Sequence, residues 1–333
     1  MSKKELLANL LYTTRAYRIS QMARLALPPD LKILAYHRIC DTDAMNDPEL
    51  VSATRSDFEW QVAHIRQHYV PMTFADVFEC KSQGQKLPRN AVVITFDDGF
   101  ADNYVNAYDI LQRFEVPATF FITTRYIGTN RTFWFNELSR TVMGTRARSL
   151  RLDSDTFTVA NAREDRIALL ERLLQLCKAV PDSQRRKYLE SISAQLGDPG
   201  ECDPLSRPMT WGEVIEMSRN GMEFGSHSET HPILSRLEPK ALRQEIHGSK
   251  TTIEEKLGSP VLALAYPVGG KNEISPQVLE QATKAGYRFG VSYLPGNNRG
   301  LRIGDLMLKR LHVERYTTRP MFAAMLALPE VLS

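Results

Sequence analysis

Two short stretches carry residue types that could do chemistry together. In "ITFDDGF" (94–100) an apolar run ends on Asp97 and Asp98, and Gly99 follows at once. In "SHSETHP" (226–232) His227 and His231 stand four apart just past another apolar run. Two imidazoles at that spacing can converge on one ion from a single turn of backbone, and a carboxylate adds an oxygen ligand. Asp98, His227 and His231 would leave positions open for water and substrate, as a catalytic zinc site does. Adjacent side chains on a strand point to opposite faces, so one aspartate can bind the ion while its neighbour acts as general base on water. Gly99 lets the backbone turn sharply there.

The chain of 333 residues contains seven histidines, so a spacing of four also arises by chance. "HIRQH" is a second instance, in His64 and His68. That pair sits within a helical pattern, off the stripe of Phe58, Ile65 and Tyr69, and is expected to be solvated. Position separates the two pairs, because His227 and His231 follow the end of a strand, where Asp98 also should be.

"TFDDGF", "SHSETH" and "LAYPVGG", in this order and spacing, resemble the polysaccharide deacetylase family, also called carbohydrate esterase family 4 or the NodB-homology group. The match covers about residues 32–130 and 209–315, and "ILAYHRI", "VPATFFI" and "MTWGEVIEMSRNGMEFGSH" support it. The resemblance implies a deformed (β/α)7 barrel and metal-dependent hydrolysis of an N-acetyl or O-acetyl group on a sugar. It implies Asp97 as general base and Asp98, His227 and His231 as ligands of a divalent ion, zinc first, with cobalt, nickel or manganese as alternatives. Backbone amides near Tyr266, Pro267 and Val268 would help bind the oxyanion.

Three departures stand out. Many members carry an arginine that pairs with the base where this chain has Ala265; losing such a partner raises the base's pKa unless another cation replaces it. Arg310 is the expected replacement and Arg38 the second choice. The Asp-Trp segment that shapes one groove wall is not recognisable between residues 287 and 305. The usual Leu-x-His appears only as "RLHV", so His312 is either a general acid or a structural or substrate-contacting histidine. Arg310 and His312 share one strand face by alternation. His37 is a candidate for lining the site, and His247 is expected to be solvated.

The elements that must position these residues read as α/β. Near-continuous apolar runs at 32–39, 91–98, 117–123, 222–228, 261–267, 289–293 and 308–313 suit strands buried on both faces. Helical patterns lie between them, notably 57–69, 238–258 closing on Gly258, and 275–287 closing on Gly286. Polar residues gather at the strand C-terminal ends, which form one face of a β/α barrel. Residues 131–208 break the rhythm; they read as a polar, mostly helical insertion after the third strand, without a site of its own.

Hydrophobic content of 43%, charged content of 24% and a net charge of +3 are ordinary for a globular chain and give no case for nucleic acid. Cys40, Cys80, Cys177 and Cys202 are scattered, which excludes a disulfide framework. Residues 1–30 read as an amphipathic helix, with Leu7, Leu10, Leu11 and Ile19 opposite Arg15 and Arg24, packed on its own domain or resting on a membrane surface. No run approaches the roughly 18 apolar residues of a span, and no signal peptide is evident. A cytoplasmic protein, peripheral at most to the inner membrane, is therefore expected.

The departures resemble the exopolysaccharide and cell-envelope branch, whose substrate would be an acetylated polymer, a lipid-linked saccharide or a small glycan. The same fold and metal could serve another amide, imide or formyl substrate. A silent glycan-binding homologue is the third possibility. Oligomeric state is left open.

Overall fold

The computed structural model describes residues 3–14, 17, 29–41, 50–197 and 204–332. Each apolar run needs partners on both faces, and a barrel ringed by helices supplies them. The strands are β1 (Asp30–Tyr36), β2 (Ala91–Phe96), β3 (Thr119–Ile122), β4 (Glu223–Ser226), β5 (Ala263–Ala265), β6 (Phe289–Pro295) and β7 (Leu308–His312). Neighbours pair in parallel from β1 through β7, and β7 returns to β1 at Leu34–Leu311 and Ala35–His312. The expected deformed (β/α)7 barrel is therefore closed. Its deformation lies where β4 meets β5 at the single pair Leu264–Ser226, and where β6 and β7 shift register between Val291 and Pro295.

Strand alternation sorts the core into two layers. Ile33, Val93, Phe121, Ala265 and Val291 pack together in the barrel interior. Leu34, Ile94, Phe120, Leu264 and Leu311 face outward onto helical residues such as Phe58, Val62 and Ile65.

At the N-terminus, α1 (Lys3–Thr13) buries Ala8 and sets Tyr12 against Trp60, while Leu6, Leu7 and Leu10 remain exposed. Leu11 packs inward, unlike the expected stripe. Ile19, Arg15 and Arg24 lie outside the described residues. Helix α2 (Arg55–His68) is capped by Thr54, which accepts from the Asp57 N–H. His64 corrects the sequence expectation: it is buried, stacked on Trp60 at 5.2 Å and near Tyr17 and Phe322. The chain's termini cover a face of α2 that its own period marks as polar.

The insertion forms a satellite layer. It comprises α3 (Trp134–Gly144), a hairpin of Ser149–Leu152 with Asp155–Thr158, α4 (Arg163–Ala179) and α5 (Asp182–Leu196). Its own core includes Leu138, Leu150, Phe157, Leu170, Leu173 and Ile192. The hairpin was not expected, although Leu150 and Leu152 against Phe157 already alternate.

The expected 238–258 helix is present but not uniform. A π-helical turn, Gln244–Gly248, separates Pro239–Arg243 from Ser249–Leu257, and Gly258 ends it at φ +69°. His247 is half-buried there, not solvated. After β7, α6 (Arg319–Ala327) buries Phe322 and Ala323 against the α1–α2 side. Among the described residues no helix is long and apolar enough to cross a membrane. Cys40, Cys80 and Cys177 are free thiols; Cys202 lies outside the described residues.

Gly225, just before the site on β4, marks tight packing in the barrel. A Cβ there would sit 2.5 Å from the Phe121 ring and 3.0 Å from the Ala263 carbonyl oxygen. Gly225→Ala is expected to cost about 1–3 kcal/mol through overpacking. Urea unfolding should show a lower midpoint with an unchanged slope.

Candidate active site

Strand β2 ends at Phe96, and the two aspartates occupy the turn that follows. The Asp97 N–H still donates to the Tyr36 carbonyl (2.9 Å), as strand register requires. Asp98 then adopts φ +73° and Gly99 φ +86°. A Cβ on Gly99 would press on Ile122 and Ile127 at 3.0 and 3.1 Å, so glycine is needed there for conformation and for room. The turn sends the two carboxylates to different partners.

Asp97 is 2% exposed and is gripped by Arg310, whose two terminal nitrogens each donate to one carboxylate oxygen at 2.7 Å. Arg310 comes from β7 and also donates through Nε to the Ser292 carbonyl (2.8 Å). Burial alone would raise the Asp97 pKa. The Arg310 charge and hydrogen bonds, with His227 adding to them, outweigh burial and hold it well below the usual carboxylate range. Arg38, the second candidate, is committed elsewhere: its Nε meets Asp102 at 2.6 Å, with both side chains fully buried.

Asp98 faces the two histidines. Its Oδ1 lies 3.5 Å from His227 Nε2 and 3.3 Å from His231 Nε2. The three ligand atoms all fall within 4.8 Å of one another. His227 Nδ1 is 2.8 Å from the Ala265 carbonyl oxygen, so that nitrogen carries the proton and Nε2 keeps its lone pair for the centre. Burial pushes the His227 pKa down to about 4, which keeps the ring neutral. Burial also raises Asp98, but its contacts with His231 and His227 lower it overall. Among the described residues, Asp98 Oδ1 is buried without a hydrogen-bond donor. Such an atom is costly unless something cationic meets it. Two imidazole nitrogens and one carboxylate therefore fit a divalent ion.

Hydrogen bonds from behind hold the loops that present these residues. His231 and Ser228 take positive φ values of 57° and 66°, and the His231 N–H donates to Ser228 Oγ (3.0 Å). Glu245 accepts from the Glu229 and Thr230 N–H groups at 2.8 and 2.9 Å. Glu245 lies in the π-helical turn noted above. A second π-helical turn, Asn103–Tyr108, supplies Asn103, whose amide donates to the His37 carbonyl at 2.8 Å. Both irregular turns thus place a polar side chain under a site loop, a common use of π-bulges.

Of the three residues expected at the oxyanion position, one is free to donate. Pro267 has no N–H, and the Tyr266 N–H is taken by the Val291 carbonyl (3.2 Å). The Val268 N–H donates to no protein group among the described residues, and its φ is +63°. The Tyr266 side chain runs away from the centre and donates to the Leu306 carbonyl (2.9 Å).

These groups line a cavity of about 610 Å³. His37, Tyr293 and Glu314 belong to its barrel wall, whereas Trp134, Phe135 and Ile167 come from the insertion. His312 is not on that wall. Its ring stacks under Tyr293 at 3.7 Å, and burial pushes its pKa down to about 4. The insertion's share in the cavity was missed in the sequence; a Trp-Phe pair at the start of a helix was the available signal.

The polysaccharide deacetylase family profile matches residues 84–290. Among solved structures, the Streptococcus pyogenes deacetylase PplD in complex with acetate gives a TM-score of 0.59 at 20% identity, covering 92% of this chain and 99% of that one. IcaB from Ammonifex degensii gives 0.56 at 16% identity, covering 90% and 97%. At these identities the likeness is one of fold. YxkH of Bacillus subtilis is 22% identical over 270 residues, which is 81% of this chain and 66% of that protein. The poly-β-1,6-N-acetyl-D-glucosamine N-deacetylase of Staphylococcus epidermidis is 31% identical over 118 residues, 32% of this chain and 40% of that protein. The aligned part is only 12% of the Escherichia coli K12 enzyme of the same name. With the profile spanning most of the barrel and both motifs that build its mouth, the chain belongs to the polysaccharide deacetylase family.

Proposed function

We propose that this protein is a divalent-metal-dependent deacetylase that removes N-acetyl groups from a glucosamine-containing polysaccharide or its lipid-linked precursor, in exopolysaccharide or cell-envelope synthesis. The observation that carries this reading is the partnerless, buried Asp98 Oδ1 facing two imidazole Nε2 atoms, beside a carboxylate clamped by Arg310. The relatives named as poly-β-1,6-N-acetyl-D-glucosamine N-deacetylases support the choice of substrate. Peripheral contact with a membrane through α1 belongs to the same reading, supported by exposed Leu6, Leu7 and Leu10.

Asp98, His227 and His231 would hold the ion, and zinc suits that donor set best. When bound, the ion supplies Lewis acidity, polarising the acetyl carbonyl and lowering the pKa of water. Asp97 accepts the proton of the attacking water while Arg310 keeps both of its oxygens oriented. The depressed pKa of Asp97 makes its protonated form a ready donor. It returns that proton to the leaving nitrogen as the C–N bond breaks, giving acetate and a free amine. The Val268 N–H donates to the carbonyl oxygen as negative charge develops there. His312 is neutral at neutral pH and supports Tyr293. Its Nε2, without a hydrogen-bond partner among the described residues, favours a second reading, in which His312 protonates the amine.

Asp97→Asn should lower kcat for acetate release by about 10²–10⁴-fold while elemental analysis finds its metal unchanged; Asp98→Asn should lose the metal. A fully active Asp97→Asn enzyme, or no metal and no acetate from the parent with any acetylated glycan, would end the proposal. Arg310→Met leaves Asp97 buried without its cation, which should cost about 3–5 kcal/mol of stability. Adding Asp97→Asn should recover part of that loss, a coupling that urea unfolding of the double mutant can read. His312→Asn should slow the amide substrate and an aryl acetate ester equally. Selective loss on the amide, whose leaving group alone needs a proton, would transfer the acid role to His312.

A further inference from the structure

The segment after β7 takes no part in the chemistry above, yet three consecutive side chains of it, Glu314, Arg315 and Tyr316, line the cavity that holds Asp97 and the triad. The segment is a built turn. The Thr317 N–H donates to the Glu314 carbonyl (2.7 Å), and the Glu314 N–H donates back to Thr317 Oγ1 (2.9 Å). Thr318 then caps α6. The Tyr293 hydroxyl donates to Glu314 Oε1 (3.1 Å), fixing the carboxylate against a ring that stacks on His312. Tyr316 is 70% exposed.

An exposed tyrosine alone is ordinary surface. Here an oriented carboxylate, a guanidinium and an open aromatic face converge on one cavity wall, and that combination selects among ligands. A hydrocarbon chain would use Tyr316 but strip water from the carboxylate and guanidinium beside it, which is costly. A polyanion would be repelled by Glu314. A pyranose ring satisfies all three: its C–H face covers an aromatic ring, and its equatorial hydroxyls reach a carboxylate and a guanidinium at the edge.

We propose that the Glu314–Tyr316 turn is a sugar subsite of this cavity, where Tyr316 stacks on a pyranose ring of the glycan and Glu314 accepts from its hydroxyls. The assignment rests on the deacetylase reading and deepens it: the substrate is held by a sugar ring and not only by its acetyl group.

The test uses the full metal-loaded chain and a β-1,6-linked N-acetylglucosamine pentamer. Tyr316→Ala should raise KM about tenfold with kcat nearly unchanged, while Tyr316→Phe and Tyr316→Trp keep KM near that of the parent. Glu314→Gln should also raise KM, by about tenfold. An unchanged KM in Tyr316→Ala overturns the subsite, as does equal loss in Tyr316→Phe, or a fall in kcat alone. If the parent releases no acetate, the deacetylase reading fails on its own terms. Calorimetric binding of the same pentamer then decides the subsite: weakening by Tyr316→Ala supports it, and equal or absent binding in parent and variant refutes it.

Discussion

Two carboxylates buried side by side cannot both stay ionised unless each meets a cation, and the mouth of this barrel is organised around that requirement. For Asp97 the chain supplies the cation itself. Desolvating an arginine and an aspartate costs several kcal/mol per ion, and only good geometry offsets it. The bidentate fork and the Ser292 carbonyl provide that geometry. Because β1 lies between β2 and β7, the pair also reaches across the seam where the barrel closes. Among the described residues, Asp98 meets no lysine or arginine. It meets His227, which burial keeps neutral, and His231, with one carboxylate oxygen accepting nothing. A buried anion that faces imidazole nitrogens in place of a cationic side chain is the electrostatic pattern of a cation site.

The same requirement explains the backbone. Side chains that leave parallel strands would alternate between interior and exterior, which cannot bring two adjacent aspartates and two histidines to one mouth. Left-handed residues break the alternation. Of the six non-glycine residues with positive φ among those described, four (Asp98, Ser228, His231 and Val268) belong to this centre. Each such residue costs on the order of 1–2 kcal/mol relative to its relaxed form. Glu245 and Ser228 hold the strained histidine loop in place through backbone N–H groups. Strain is thus concentrated where the ligands converge, with Glu115 and Asp153 the exceptions among the described residues.

Much of this was legible in the sequence because it depends on local pattern. Seven apolar runs announced seven strands, since burial on both faces leaves a near-continuous signal. Asp97, Asp98, His227 and His231 were marked by type and by position after those runs. What depends on distant pairing was legible only as a choice. Arg310 and Arg38 are equivalent as letters; their fates diverge because Asp102 sits where Arg38 can reach it and Asp97 where Arg310 can. His64 read as solvated because helical period sees only its own element, and the termini that bury it are remote in sequence. Among Tyr266, Pro267 and Val268, which N–H stays open depends on a distant strand, because the Val291 carbonyl takes the one on Tyr266. The hairpin and cavity wall of the insertion were masked by a polar composition that satisfied a second, smaller core.

That second core has a functional consequence. The triad and its supports rest on the barrel, whereas Trp134, Phe135 and Ile167 are carried by an insertion whose packing is largely its own. Close-packed cores transmit strain, so a wall built on the barrel itself could not change shape without moving the ligands. A wall built on a separate core can. Ile167 of α4 stands on that separate core, whereas Phe135 of α3 touches the His231 ring (5.1 Å) and ties its stretch of wall to the triad. The chain therefore divides its labour: the barrel fixes where the triad sits, and the insertion shapes part of the cavity wall around it.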